Sequence, residues 1–265
     1  MSADPIITET YALHRGNAPL LISVPHDGAR LPDDIVSQLT DTARHVPDTD
    51  WHIARLYAFA RDLGASMLVP KFSRYVVDLN RSEDDVSLYP GQNTTGLCPI
   101  VQFNGEPVYR ESHQPTPEDI AQRVDRYWRP YHAALSSELD RIRTAHGRAA
   151  LWEGHSIKGK LPFLFGGQLP DLNLGTANGA SCSPELQVRL EATLASQDRY
   201  SHIVNGRFKG GYITRHYGDP LNGIDAVQLE ISQRIYMDET SFAYEEGKAL
   251  STEGIIRSLL ATVLI

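Results

Sequence analysis

The chain has 265 residues, with 25 Lys+Arg against 33 Asp+Glu, ten His and two Cys. A chain of this length buries about three quarters of its extended surface, so it needs no disulfide staple to fold. The net charge of −8 argues against a nucleic-acid or acidic-membrane binder, since both want a large basic surface. In chain order, residues 19–24 (PLLISV) form a short apolar run that predicts a buried strand. Residues 50–63 carry apolar side chains at helical spacing, with Asp48, Thr49 and Asp50 as caps and Gly64 as the stop. Residues 66–69 and 75–79 read as two further strands. Residues 84–105 are rich in Gly, Pro, Asn and Thr, and a loop of that length is uncommon unless it serves a site.

A long helix comes next, with Thr116 as its cap and Pro117 in its first turn. Ile120, Val124, Tyr127, Tyr131, Leu135, Leu139 and Ile142 form its buried stripe, and Gly147 ends it. Pro130 is expected to kink or break it. Residues 149–152 read as a strand running into Glu153-Gly154-His155-Ser156. Residues 159–183 read as irregular, 184–196 as helix, 210–214 as strand, 226–231 (AVQLEI) as strand, and 239–264 as mainly helix. Strands alternating with helices predict an α/β class with a mixed sheet flanked by helices. One domain over residues 1–265 is expected. Cys98 and Cys182 fit no CxxC spacing, which argues against a disulfide framework and a cysteine zinc site and suits a reducing cytoplasm. Residues 1–16 show no basic segment followed by an apolar one, and no apolar run is long enough for a bilayer. The expectation is a cytoplasmic protein with no membrane or nucleic-acid partner.

Ligands of such sheets sit at the carboxyl ends of strands, and four predicted strand ends carry unusual chemistry. His26 follows the first strand, and His155 follows the strand from residue 149. Two imidazoles at the ends of different strands can share a metal ion, with a carboxylate as the third ligand. Asp50 and Asp48 are both available for that place, whereas Asp27 diverges from its neighbour His26. Each His by itself is more simply a polar loop residue. Glu230 stands inside an apolar strand, where a carboxylate is costly unless paired or functional. It is either a general base or acid with a raised pKa, or the partner of a core Arg. Arg74, Arg81 and Arg215 lie at strand boundaries, and Lys209 lies in a Gly-rich segment. They suit a carboxylate-bearing substrate, against the alternative of ordinary surface solvation. Trp51, Trp128 and Trp152 read as packing residues. GxSxG, Walker and dinucleotide motifs are absent from the sequence.

Seven blocks together carry a resemblance: SVPHDG (23–28), PDTDWHIARLY (47–57), SRYVVDLNR (73–81), EGHS (153–156), NLGTANGASC (173–182), NGRFKGGYITRHYG (205–218) and VQLEIS (227–232). In this order they resemble the N-formylglutamate amidohydrolases (N-formylglutamate deformylases). The resemblance implies one zinc-hydrolase domain, with a fold similar to the zinc carboxypeptidases (phosphorylase/hydrolase-like) and to the succinylglutamate desuccinylase/aspartoacylase group. It implies hydrolysis of N-formyl-L-glutamate to formate and L-glutamate in histidine degradation, with one Zn2+ per chain and a small dicarboxylate as partner. By position, His26, Asp50 and His155 match the metal ligands, with Asp48 as the alternative carboxylate. Glu230 matches the catalytic Glu. Asn80 and Arg81 match a carboxylate-gripping pair, with Arg74 or Arg81 beside the developing oxyanion and Lys209 and Arg215 as further carboxylate partners. The chain departs from the pattern at Glu153, where Asp is expected, and at Gly154, where Ala is expected. Two other readings stand beside this one: a zinc deacylase with a larger acyl pocket, and a non-catalytic metal or amino-acid binder.

Overall fold

The computed structural model describes residues 5–86 and 95–265. Among the described residues, eight strands form one sheet in the order β1-β2-β4-β3-β5-β8-β6-β7. They are β1 (Ile6–Ile7), β2 (Tyr11–His14), β3 (Leu20–Ser23), β4 (Ser66–Pro70), β5 (Ala149–Ile157), β6 (Leu172–Gly175), β7 (His202–Val204) and β8 (Ile224–Ser232). The central strands β4, β3, β5 and β8 are parallel. β1, β2 and β4 pair antiparallel, and β6 runs antiparallel to β8. The sheet is therefore mixed, as expected for the class.

The α-helices among the described residues are α1 (Asp33–Val36), α2 (Ile53–Leu56), α3 (Pro117–Arg123), α4 (Arg129–His146), α5 (Pro184–Ala195), α6 (Tyr212–Tyr217) and α7 (Glu246–Leu264). Alternation along the strands builds two cores. Leu20, Ile22, Ala150, Trp152, Leu229 and Ile231 pack with α2, α5 and α7. Leu21, Leu68, Ala149, Leu151 and Ala226 pack on the other face with Tyr131, Leu135, Leu139 and Ile142 of α4. Among the described residues, no helix is long and apolar enough to cross a membrane.

The long helix begins and ends as its sequence dictates. Thr116 and Asp119 form a reciprocal capping box, and Pro117 takes the first turn. Gly147 ends it in the left-handed conformation, at φ 74°. Pro130 does not break it. A π-helical turn, Val124–Trp128, sits immediately before, and Pro130 falls in the first turn of α4. The wider turn makes room for a ring that would otherwise strike the carbonyl four residues back.

Elsewhere the structure corrects the sequence reading. Residues 75–79 are turn and irregular backbone, not a strand, because Asp78 bonds His26 and accepts from the Asn80 N–H. Residues 50–63 hold only α2 and a 3-10 turn at Ala58–Arg61. His52, at φ 65°, precedes α2, and Asp50 is not its cap. Residues 210–214 open α6 instead of forming a strand. The stretch 159–183 contains β6, a strand too short and too Asn- and Gly-rich to show by periodicity. The segment 153–156 is not a loop after a strand but the continuation of β5. Of the long loop at 84–105, residues 87–94 lie outside the described residues.

Candidate metal centre and active site

The face of the sheet that carries Leu151 and Ala226 turns polar towards the carboxyl ends of the strands. On β5, Leu151 is followed on the same face by Glu153 and His155; on β8, Ala226 is followed by Gln228 and Glu230. His155 and Glu230 are paired in register on adjacent parallel strands. His26 enters from the turn beyond β3, and its ring centroid lies 4.9 Å from that of His155. The backbone N–H of Asp50 donates to the His26 carbonyl at 3.1 Å, which pins the segment before α2 beside the two rings.

One ligand atom from each of His26, Asp50 and His155 lies within 4.8 Å of the others, and all three residues are buried. Asp50 Oδ2 is 3.0 Å from His155 Nδ1 and 3.8 Å from His26 Nδ1. Ligands about 2.1 Å from a tetrahedral zinc stand about 3.4 Å apart, between those two separations. The remaining ring nitrogens are held from behind. His26 Nε2 bonds Asp78 Oδ1 at 2.7 Å, and His155 Nε2 bonds Glu153 Oε1 at 2.6 Å. A carboxylate behind each imidazole fixes its orientation and leaves Nδ1 as the ligand atom. Asp78 is itself held by Arg74 at 2.6 Å, and Glu153 by Thr214. The residues present thus fit a divalent ion of the zinc type. Asp48 does not join them: Tyr75 Oη and the Phe103 N–H both donate to its Oδ2. Asp27 turns to the Ala54 N–H at 2.9 Å.

The charges reinforce one another. Burial alone would raise the Asp50 carboxyl, but hydrogen bonds and charge from His155 and His26 hold it below the usual range. Burial likewise opposes the ionised form of Asp78, and the positive charges of His26 and Arg74 overcome it. His155 moves well above its ordinary value. Desolvation opposes this, while the Glu153 charge and the Asp50 hydrogen bond win. Glu230 behaves differently. Burial pushes its carboxyl up to about 8, against the pull of His155. Among the described residues it has no salt-bridge partner, and Gln228 Nε2 reaches its Oε2 only at 3.4 Å. The alternative of a core ion pair is not what the structure contains.

These groups line a cavity of about 720 Å³, counting the solvent at its mouth. Arg74, Asn80 and Arg81 line it with His26, Asp50, His155 and Glu230, and so do Thr95 and Phe103 of the long loop. Arg74 Nε is buried without a hydrogen-bond partner among the described residues. Asn80 Oδ1 accepts from the Ile213 N–H at 2.9 Å. Its Nδ2 lies 3.1 Å from His155 Nε2, a nitrogen that donates to Glu153, so the Asn80 amide protons remain available to the cavity. Lys209 and Arg215 are not among the lining residues. Arg215 Nε instead donates to the Gly210 carbonyl at 2.8 Å.

Sequence reasoning missed three contributors. Arg207 lines the cavity, its guanidinium over the Phe165 and Phe208 rings; it stands in the same block as Lys209, two residues earlier. Asp78 and Glu153 sit two residues before Asn80 and His155. A carboxylate two residues before a candidate site residue was the available signal in both places.

The model of the N-formylglutamate amidohydrolase family matches residues 18–237. An N-formylglutamate deformylase of Pseudomonas putida is 52% identical over 254 residues, covering 96% of this chain and 95% of that protein. One of Pseudomonas aeruginosa is 51% identical, covering 97% and 96%. The crystal structure of an N-formylglutamate amidohydrolase from Ralstonia eutropha superposes with a TM-score of 0.81 at 25% identity, over 96% of this chain and 97% of that one. A gene product of Agrobacterium tumefaciens shares the fold, with a TM-score of 0.74 at 16% identity. The family match spans both polar strand ends, and half of all positions are shared with the two Pseudomonas proteins; the chain belongs to the N-formylglutamate amidohydrolase family.

Proposed function

We propose that this chain hydrolyses N-formyl-L-glutamate to formate and L-glutamate, using one zinc ion held by His26, Asp50 and His155. The observation that carries the reading is the buried His-Asp-His group facing an unpaired, buried Glu230 inside a cavity lined by guanidinium groups. The deformylase names of the two relatives at about half identity support the choice of substrate.

A bound zinc supplies Lewis acidity, polarising the formyl carbonyl and lowering the pKa of the attacking water towards about 7. Glu230 takes the proton from that water as it attacks the formyl carbon. A carboxyl with a pKa near neutrality suits this task, because it can both accept and return a proton. Glu230 then delivers the proton to the departing amine nitrogen of glutamate. Arg74, kept charged by Asp78, stabilises the negative charge that develops on the formyl oxygen. Arg81 and Asn80 grip one substrate carboxylate, and Arg207 is the further lining cation for the second. Lys209 and Arg215 act through the Gly-rich segment they belong to, Arg215 by its bond to Gly210.

Chelation followed by dialysis should abolish deformylation, and one equivalent of zinc should restore it. Full turnover by protein shown to be metal-free would overturn the mechanism. A panel of N-formyl-, N-acetyl- and N-succinylglutamate checks the substrate, and preference for a larger acyl group would favour the deacylase reading.

A further inference from the structure

Trp128 and His132 stand outside the cavity lining, yet both reach the backbone that carries its carboxylate-gripping pair. His132 Nε2 lies 2.9 Å from the Leu79 carbonyl, and Trp128 Nε1 donates to the Arg81 carbonyl at 2.9 Å. The carbonyl between them, Asn80, accepts from the Tyr212 N–H at 3.4 Å. Three successive carbonyls on either side of the Asn80 and Arg81 side chains therefore each have a donor. The two side-chain donors are buried and packed on each other. The two rings stack with centroids 3.7 Å apart, and His132 also stacks on Tyr217.

The protonation of His132 is dictated by its partners. A carbonyl only accepts, so Nε2 carries the proton, and Nδ1 accepts from Tyr217 Oη at 2.9 Å. Burial pushes the imidazole down to about 3, so the ring stays neutral with one donor and one acceptor, both used. Trp128 is the last residue of the π-helical turn, and His132 lies one α-turn later. The extra residue of a π-turn rotates the helix on its C-terminal side relative to the helix on its N-terminal side. Here it lets one helix bury Val124 and Tyr127 in the core and still aim two polar ring edges at Leu79–Arg81.

We infer that Trp128 and His132 are positioning residues that set the affinity for the dicarboxylate substrate by holding the Leu79–Arg81 backbone. The inference rests on the proposed role of Arg81 and goes beyond it. Neither residue lines the cavity, so the effect belongs to binding and not to the chemical step.

The test uses the zinc-loaded enzyme, steady-state kinetics with N-formylglutamate, and inhibition by glutarate, a dicarboxylate with no formyl group. Trp128→Phe removes one N–H and keeps the ring. It should raise both KM and the glutarate Ki by about five- to tenfold, the loss expected for one hydrogen bond, with kcat within about twofold and zinc content unchanged. His132→Leu should do the same, and His132→Gln, which keeps an N–H donor, should recover most of the loss. Unchanged KM and Ki in Trp128→Phe would overturn the inference, as would a fall in kcat alone. Arg81→Ala separates the two levels. If it raises KM and Ki while Trp128→Phe does not, only the positioning role fails; if it raises neither, the reading of Arg81 fails and the inference with it.

Discussion

Asp48 and Asp50 are the same side chain two positions apart, and both are buried, yet their environments assign them opposite tasks. Asp48 accepts from Tyr75 and Phe103 and holds the long loop against the body of the protein. Asp50 faces two imidazoles and accepts the Ser156 N–H at 3.0 Å, so its lone pairs converge on the site. Glu153 and Glu230 show the same division. Glu153 is fully paired by His155 and Thr214, while Glu230 is buried without a charge partner and its carboxyl rises to about 8. Glu230→Gln should therefore retain the metal, measured by elemental analysis, and lose about 10²–10⁴-fold in kcat, the usual contribution of a general base. A loss confined to KM would remove Glu230 from the chemistry. The residue types were legible in the sequence, because His beyond an apolar run and Glu within one are both conspicuous. The choice between Asp48 and Asp50 was not, since it depends on which backbone N–H groups pack around each.

β5 and β8 show how an element becomes a site. Each begins as an ordinary buried strand and turns polar on one face over its last few residues, so the register that pairs Leu151 with Ala226 also pairs His155 with Glu230. α6 contributes through its start. Gly211 brings the helix so close that an added β-carbon would lie 2.3 Å from Asn80 Nδ2. Its φ of −81° is open to any residue, so the need for Gly here is contact and not backbone strain. Gly211→Ala must displace the Asn80 amide. It should cost about 10²-fold in kcat/KM, the scale of a 1 Å misplacement of a binding group, in a protein that still shows cooperative thermal unfolding. Wild-type kcat/KM would show that Asn80 is not needed where it stands. The capping box at Thr116 and the stop at Gly147 were legible because they are local. The segment at 75–79 was misread because its apolar residues mimic a strand, while Asp78 draws its backbone into a turn: the Asn80 N–H donates to Asp78 Oδ1 at 2.8 Å.

At the scale of the whole molecule, a net charge of −8 coexists with a cavity lined by Arg74, Arg81 and Arg207. Overall charge excludes extended polyanions, but a small dicarboxylate sees only the local field. The buried neutral His132 makes the stability of the entire fold depend on pH. Its pKa falls from 6.5 to about 3 on folding, so between those values the unfolded chain binds the extra proton. Stability is fully present above about pH 6.5 and is lost as pH falls towards 3, at up to about 1.4 kcal/mol per pH unit. Between pH 7 and pH 5 the wild type should lose about 2 kcal/mol more than His132→Gln in denaturant unfolding. Equal losses would mean that the imidazole is protonated in the folded state.

The sequence by itself determined the class of sheet, the limits of the long helix and the two imidazoles that stand out as candidate ligands, because alternation, caps and lone polar residues in apolar runs are local signals. Only the tertiary structure decided that Asp50 and not Asp48 meets the two rings, that Asp78 and Glu153 stand behind them, and that Arg207 lines the cavity where Lys209 and Arg215 do not. Those choices are made through space, by strands that are neighbours in the sheet and distant in the chain, and no periodicity records which side chains such crossings bring together.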